Sequence, residues 1–167
     1  GKFTSLKPKL SKKFSMKAVI QRVARASVTV DGNRISSIGK GYLILLGIDE
    51  RDTQRDIETV AAKVAKLRIF ADQNDKMNLS ITDIGGEILL VSQFTLCAQT
   101  RHGNRPAFIR AKNPTDADAM YRSFGARLAS AGIPVQYGQF GAMMDVELVN
   151  DGPVTIIIES IDGTIVD

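Results

Sequence analysis

The chain has 167 residues, with 22 Lys and Arg against 18 Asp and Glu, one Cys and one His. That length supports one domain with its own buried core, and the lone Cys97 excludes an internal disulfide framework. Cys97 and His102 are too few for a zinc site, and neither a metal nor a cofactor is expected.

Residues 1–15 hold five Lys and no acid, leaving 17 basic against 18 acidic residues from Met16 onward. The body therefore has no overall basic field, and any RNA contact must come from a local patch. The first fifteen residues are poor in apolar side chains and lack periodicity, which predicts a disordered basic extension or a cloning remnant ahead of one domain over 16–167. The extension has Lys only, unlike Arg-rich mitochondrial presequences. Apolar runs such as 88–91 and 154–158 are far too short to cross a membrane, and a reducing, cytoplasmic setting is expected.

Strands are predicted over 17–21 and 26–30, a hairpin turn at Asp31-Gly32-Asn33, and further strands over 34–38 and 42–48. Ile57, Val60, Val64 and Leu67 recur at helical spacing, which predicts a helix over 52–69 capped by Asp52 or Thr53. After a polar loop at 72–75 and a turn at Gly85-Gly86, residues 87–96 read as a strand buried on both faces. Alternation puts Ser92 and Phe94 on one face, Gln93 and Thr95 on the other, so Ser92 and Thr95 share a pocket only if the strand bends.

The stretch 101–112 is basic and turn-rich, either a solvated loop or a patch that grips phosphates. A second helix is predicted over 116–131, with Thr115 as N-cap and Met120, Phe124 and Leu128 facing inward; Gly132 and Pro134 stop it. The run 138–144 sets Phe140 and Met144 among glycines, suited to core packing or to stacking on a flat ring. Strands over 143–149 and 154–159 flank Asn150-Asp151-Gly152-Pro153, which reads as a hairpin turn. The same residues can also present outward carbonyls, because Gly tolerates unusual angles and Pro has no N–H. One strand-rich α+β domain with a barrel-like, antiparallel or mixed sheet and two helices is the simplest outcome.

No phosphate-cradling loop, Rossmann fingerprint or Gly-x-Ser-x-Gly elbow is present, and His102 is the only candidate base for a triad. Cys97 in an apolar strand reads as a small buried hydrophobe rather than a nucleophile. What remains is a site of hydroxyls and backbone groups, which can still cleave an activated ester through oriented N–H donors.

Ser92-Gln93-Phe94-Thr95-Leu96 and Asn150-Asp151-Gly152-Pro153-Val154-Thr155 resemble the two signature motifs of the D-aminoacyl-tRNA deacylases. Met16-Lys17-Ala18-Val19-Ile20-Gln21-Arg22-Val23, Gly103-Asn104-Arg105-Pro106 and Gly138-Gln139-Phe140-Gly141-Ala142-Met143 extend the likeness from Met16 to Ile161 in the family's order. The resemblance implies that family's fold and hydrolysis of D-aminoacyl-tRNA and glycyl-tRNA. It also implies a homodimer in which a cis Gly152-Pro153 pair enters the partner's site and excludes L side chains.

It further implies Ser92, Gln93, Phe94 and Thr95 at the scissile ester, Phe140 and Met144 on the terminal adenosine, and Arg22 bracing the Gly-Pro segment. Either Thr95 or the terminal 2′-OH would activate the attack. Apart from the resemblance, the basic stretch 101–112 would, if it is a phosphate patch rather than a solvated loop, be a resting place for acceptor-stem phosphates. The alternative is a non-catalytic tRNA-binding module, since the fold also resembles an archaeal threonyl-tRNA synthetase domain. A third reading is nucleic-acid binding through residues 1–15.

Overall fold

The computed structural model describes residues 15–167 and builds them around one long strand. This strand, β1 (Met16–Val30), runs unbroken where the residue pattern suggested two. Ala24 and Arg25 are exposed and interrupt the apolar alternation, but hydrogen-bonded pairing carries the strand past them. The basic extension lies outside the described residues except at Ser15, which is buried and donates to Glu159 Oε2 at 3.1 Å.

At Asp31-Gly32 both φ values are positive, +49° and +78°, the hand that suits a two-residue hairpin. The chain turns there into β2 (Asn33–Ile38), which pairs with the second half of β1. β3 (Gly41–Gly47) pairs antiparallel with the first half. Helix α1 (Gln54–Lys66) and a small hairpin of β4 (Phe70–Ala71) and β5 (Met77–Leu79) follow. β6 (Glu87–Ser92) then lies parallel to β3. Helix α2 (Pro114–Ser130) leads to β7 (Val135–Tyr137), which lies parallel to β6. Both parallel pairs are thus joined by helical crossovers, as parallel pairing requires. β8 (Asp145–Ile161) runs antiparallel along β1, and β9 (Thr164–Ile165) closes the edge. The strand order is β7-β6-β3-β1-β8-β9, with β2 beside β1, so the expected mixed sheet with two helices is what forms.

Alternation in β6 fills two cores at once. Ile88 and Leu90 join the core beneath the helices, with Ile57, Val60, Val64, Phe124 and Leu128, while Leu89 and Val91 join a second core on the sheet's other face. Both helix starts depend on local caps. Thr53 precedes α1, and its N–H donates to Asp56 Oδ2 at 2.9 Å. Asp56 Oδ1 also accepts from Ser160 Oγ and Gly163 N, which ties the first turn of α1 to the end of β8. α2 begins earlier than predicted: Asn113, not Thr115, is the N-cap, with its Oδ1 accepting from Asp116 N at 3.0 Å. Pro114 in the first turn suits this start, because its missing N–H would have had no helical partner.

Two further expectations are corrected. The strand predicted over 87–96 stops at Ser92 and gives way to a 3₁₀ turn, Phe94–Cys97. Nor is 150–153 a hairpin turn between two strands. Gln21 pairs with Thr155 and Val23 with Asn150, so Arg22 alone stands opposite four looped-out residues, 151–154. Both flanks of this bulge pair with β1 and not with each other.

Candidate active site

The bend after Ser92 places the motif around a cavity. Gln93 N–H still donates to Leu46 O at 2.9 Å, but the 3₁₀ turn then carries Phe94 and Thr95 away from the strand line. Ser92, Gln93, Phe94 and Thr95 consequently all line one cavity of about 870 Å³ on the sheet's second face. Phe140 and Met144 line the same cavity from the segment between β7 and β8. The floor consists of Leu43 and Leu45 on β3, Val91 on β6, and Val146 and Leu148 on β8.

Each wall is held from behind. Tyr121 of α2 donates to Leu90 O at 2.6 Å, and its ring lies 6.0 Å from that of Phe140. Burial pushes the Tyr121 hydroxyl well above its usual range, so it stays a neutral donor. A Cβ on Gly138 would sit 2.8 Å from Met144 Sδ and 3.5 Å from Val91, so a side chain here would push the Met144 thioether from its place while leaving ordinary contact with β6. On the other side, Phe94 is 58% exposed, and its ring meets Phe108 edge-on at 4.9 Å.

The loop that carries Phe108 is anchored beneath the site. Paired backbone bonds join Gln99 and Ala107 at 2.8 and 2.9 Å, and Glu50 N–H donates to Arg110 O at 2.7 Å. Arg110 also contacts the fully buried Asp49 through Nε and Nη2, at 3.3 and 3.2 Å to Oδ2. Asp52 Oδ2 accepts from Asp49 N–H at 2.7 Å. Burial, the largest influence, raises Asp49, and it pushes Asp52 up to about 8. The residue pattern gave no sign of this anchor; the only available clue was the Asp49-x-x-Asp52 spacing ahead of a helix.

The cavity contains few groups that could move a proton. Among the described residues that line it only Lys112 is charged, and its Nζ donates to Glu50 O at 3.1 Å. Thr95 Oγ1 accepts from Gln93 Nε2 at 2.8 Å. Cys97 is buried and donates to Ile48 O at 3.5 Å, and burial pushes its thiol up to about 11, so it is no thiolate at neutral pH. The first bond of the 3₁₀ turn runs from Leu96 N–H to Gln93 O, which makes Phe94 and Thr95 its leading N–H donors.

The remaining motif residues lie elsewhere. Gly152 and Pro153 do not line this cavity; they sit exposed on the β8 bulge and are joined by a cis peptide. Gly152 has φ +140°, and a Cβ there would fall 2.9 Å from Val154 N and 2.7 Å from Val154 Cγ2. Asn150 braces the bulge from inside: its Oδ1 accepts from Val154 N at 2.7 Å and its Nδ2 donates to Val154 O at 3.2 Å. Arg22 braces it from β1, with Nε donating to Asp151 O at 2.9 Å and Nη1 to Ile69 O at 2.6 Å.

Comparison with known proteins gives this geometry a family. A D-aminoacyl-tRNA deacylase of Thermodesulfovibrio yellowstonii is 54% identical over 145 residues, covering 87% of this chain and 99% of its own. The one from Parabacteroides distasonis is 55% identical over 146 residues, covering 87% and 97%. A solved structure described as a c-Myc DNA unwinding element binding protein superposes with a TM-score of 0.80 at 46% identity, over 86% of this chain and 98% of that one. A probable eukaryotic D-amino acid tRNA deacylase superposes at 0.76 with 16% identity, over 88% and 100%, a likeness of fold. The family model for D-Tyr-tRNA(Tyr) deacylase matches residues 19–159, which takes in the cavity motif and the cis Gly-Pro bulge alike, and this chain belongs to that family.

Proposed function

We propose that this protein hydrolyses the ester of D-aminoacyl-tRNA and of glycyl-tRNA, releasing the amino acid and tRNA. The observation that carries this reading is the single cavity lined by Ser92, Gln93, Phe94, Thr95, Phe140 and Met144. The ester lies against the 3₁₀ turn, where the Phe94 and Thr95 N–H groups stabilise the developing oxyanion. Phe140 and Met144 hold the terminal adenine.

The near absence of titratable side chains in the cavity supports attack by water assisted by the terminal 2′-OH. Thr95 as nucleophile has no base to activate it, since its hydroxyl is engaged by a Gln amide. The positions of Gly152 and Pro153, outside their own cavity on an exposed and doubly braced bulge, support their delivery to the site of a second copy. In that homodimer their carbonyls leave no room for an L side chain, and glycine passes because it has none. A tRNA-directed enzyme of this kind works in the cytoplasm.

The test is hydrolysis of matched D-tyrosyl-tRNA and L-tyrosyl-tRNA by metal-stripped protein. Rapid loss of the D-ester with the L-ester spared is expected. The name of the 46% identical structure favours a second reading, a module that holds nucleic acid without cleaving it. Binding of tRNA with neither ester cleaved would establish that reading instead.

A further inference from the structure

No acidic residue occurs between Glu87 and Asp116, a span that includes Arg101, Arg105, Arg110 and Lys112. The structure divides these four cations by task. Arg110 is committed to Asp49, and Lys112 to Glu50 O, so both fasten the base of the loop. Arg101 and Arg105 are exposed and, among the described residues, make no ion pair or side-chain hydrogen bond. They flank the tip of a short hairpin closed by the paired bonds between Gln99 and Ala107.

That hairpin stands at the cavity rim, because Phe108 next to Ala107 packs on the cavity-lining Phe94. Arg105 is three residues from Phe108, at most about 10 Å along the chain. The hairpin tip is therefore a short reach from the cavity rim, which puts the two arginines beside the phosphates nearest a nucleoside seated in the cavity. The folded body is close to charge-neutral, so no general field competes with this local one. The stapled base also fixes the hairpin backbone that carries the two arginines before any strand arrives, which lowers the ordering cost of contact.

We propose that Arg101 and Arg105 grip the backbone phosphates of the RNA strand whose 3′ end bears the ester, and so set affinity for tRNA without taking part in the cleavage. This rests on the deacylase reading above. Its test compares the wild type with the double variant Arg101→Gln/Arg105→Gln on two substrates, D-tyrosyl-tRNA and the phosphate-free 3′-O-D-tyrosyl-adenosine.

For tRNA, KM should rise roughly tenfold with kcat held. The fall of log(kcat/KM) with log[salt] should become shallower by about 1.4, or 0.7 for each lost phosphate contact. Cleavage of the adenosine ester should match the wild type, and Arg101→Lys/Arg105→Lys should restore most of the tRNA KM. An unchanged tRNA KM and salt slope would overturn the proposal, as would equal loss on both substrates. If the wild type cleaves neither ester, the deacylase reading falls and takes this proposal with it. If the wild type cleaves both and the Gln variant matches it throughout, only the arginine assignment falls.

Discussion

Gly152 is confined by its own neighbours, since any Cβ there meets the Val154 backbone at 2.9 Å and Arg22 Nη2 at 3.1 Å. Gly152→Ala should therefore displace the bulge rather than unfold the domain, and the ratio of D-ester to L-ester hydrolysis should fall by about tenfold or more. Unchanged selectivity would argue against the bulge as a chirality filter. Asp52 makes a different prediction. Burial is the main cause of its rise to about 8, Asp56 and Asp49 add to it, and the Asp49 N–H bond and Lys112 oppose it. An unfolded Asp titrates near 3.9. Between about pH 4 and 8 the folded state keeps a proton that the unfolded chain gives up, so this group's contribution to stability declines as pH rises through that window. Asp52→Asn retains an acceptor for Asp49 N–H and has nothing to ionise. Its Tm should fall less than that of the wild type between pH 5 and 8; parallel curves would sink the idea.

At the level of elements, the 98–113 loop behaves as part of the site because it is stapled at its base. Asp49 is fully buried, and Arg110 is its charge partner. Removing one partner of a buried pair costs about 3–5 kcal/mol, since the other charge is left without compensation. Arg110→Met should therefore lower Tm by many degrees, and loosening Phe108 against Phe94 should also raise the KM for D-aminoacyl-tRNA. Chemical denaturation combined with steady-state kinetics would check both effects. The helix start at Thr53 offers a cleaner case. Asp56 is buried and serves Thr53 N, Ser160 Oγ and Gly163 N together. Asp56→Ala should cost about 2–4 kcal/mol by leaving these donors unmet, with little change in the D-to-L ratio of the molecules that remain folded. A loss of selectivity matching the loss of stability would mean that the α1 cap acts on the site.

For the whole molecule, the proposed cross-subunit site makes a prediction about assembly. Val146, Leu148 and Met144 remain only partly buried although they pack on a core, because the cavity beside them is open. Gly152 and Pro153 lie outside it. The protein should run at twice the monomer mass in light scattering at the concentrations where it is active. A monomer with full turnover and full selectivity would overturn the cross-subunit site.

Face assignments were determined by the sequence, because a two-residue period in 88–91 and a helical period in 57–64 depend only on the geometry of the local backbone. The acid-free basic span and both site motifs were equally legible as strings of residues. What the motifs do in space was decided by tertiary pairing. Asn150-Asp151-Gly152-Pro153 has the composition of a hairpin turn, and its role as a bulge depends on Arg22, 129 residues away, standing opposite it. Likewise nothing local ends β6 at Ser92; the turn that follows docks on β3, where a Cβ on Gly47 would come within 2.7 Å of Leu96 Cβ. The three-residue β7 and the Asp49–Arg110 anchor are too short or too far apart in the chain to leave a periodic trace. Local periodicity specifies which way a side chain points, whereas the partner it meets depends on contacts made across the whole chain.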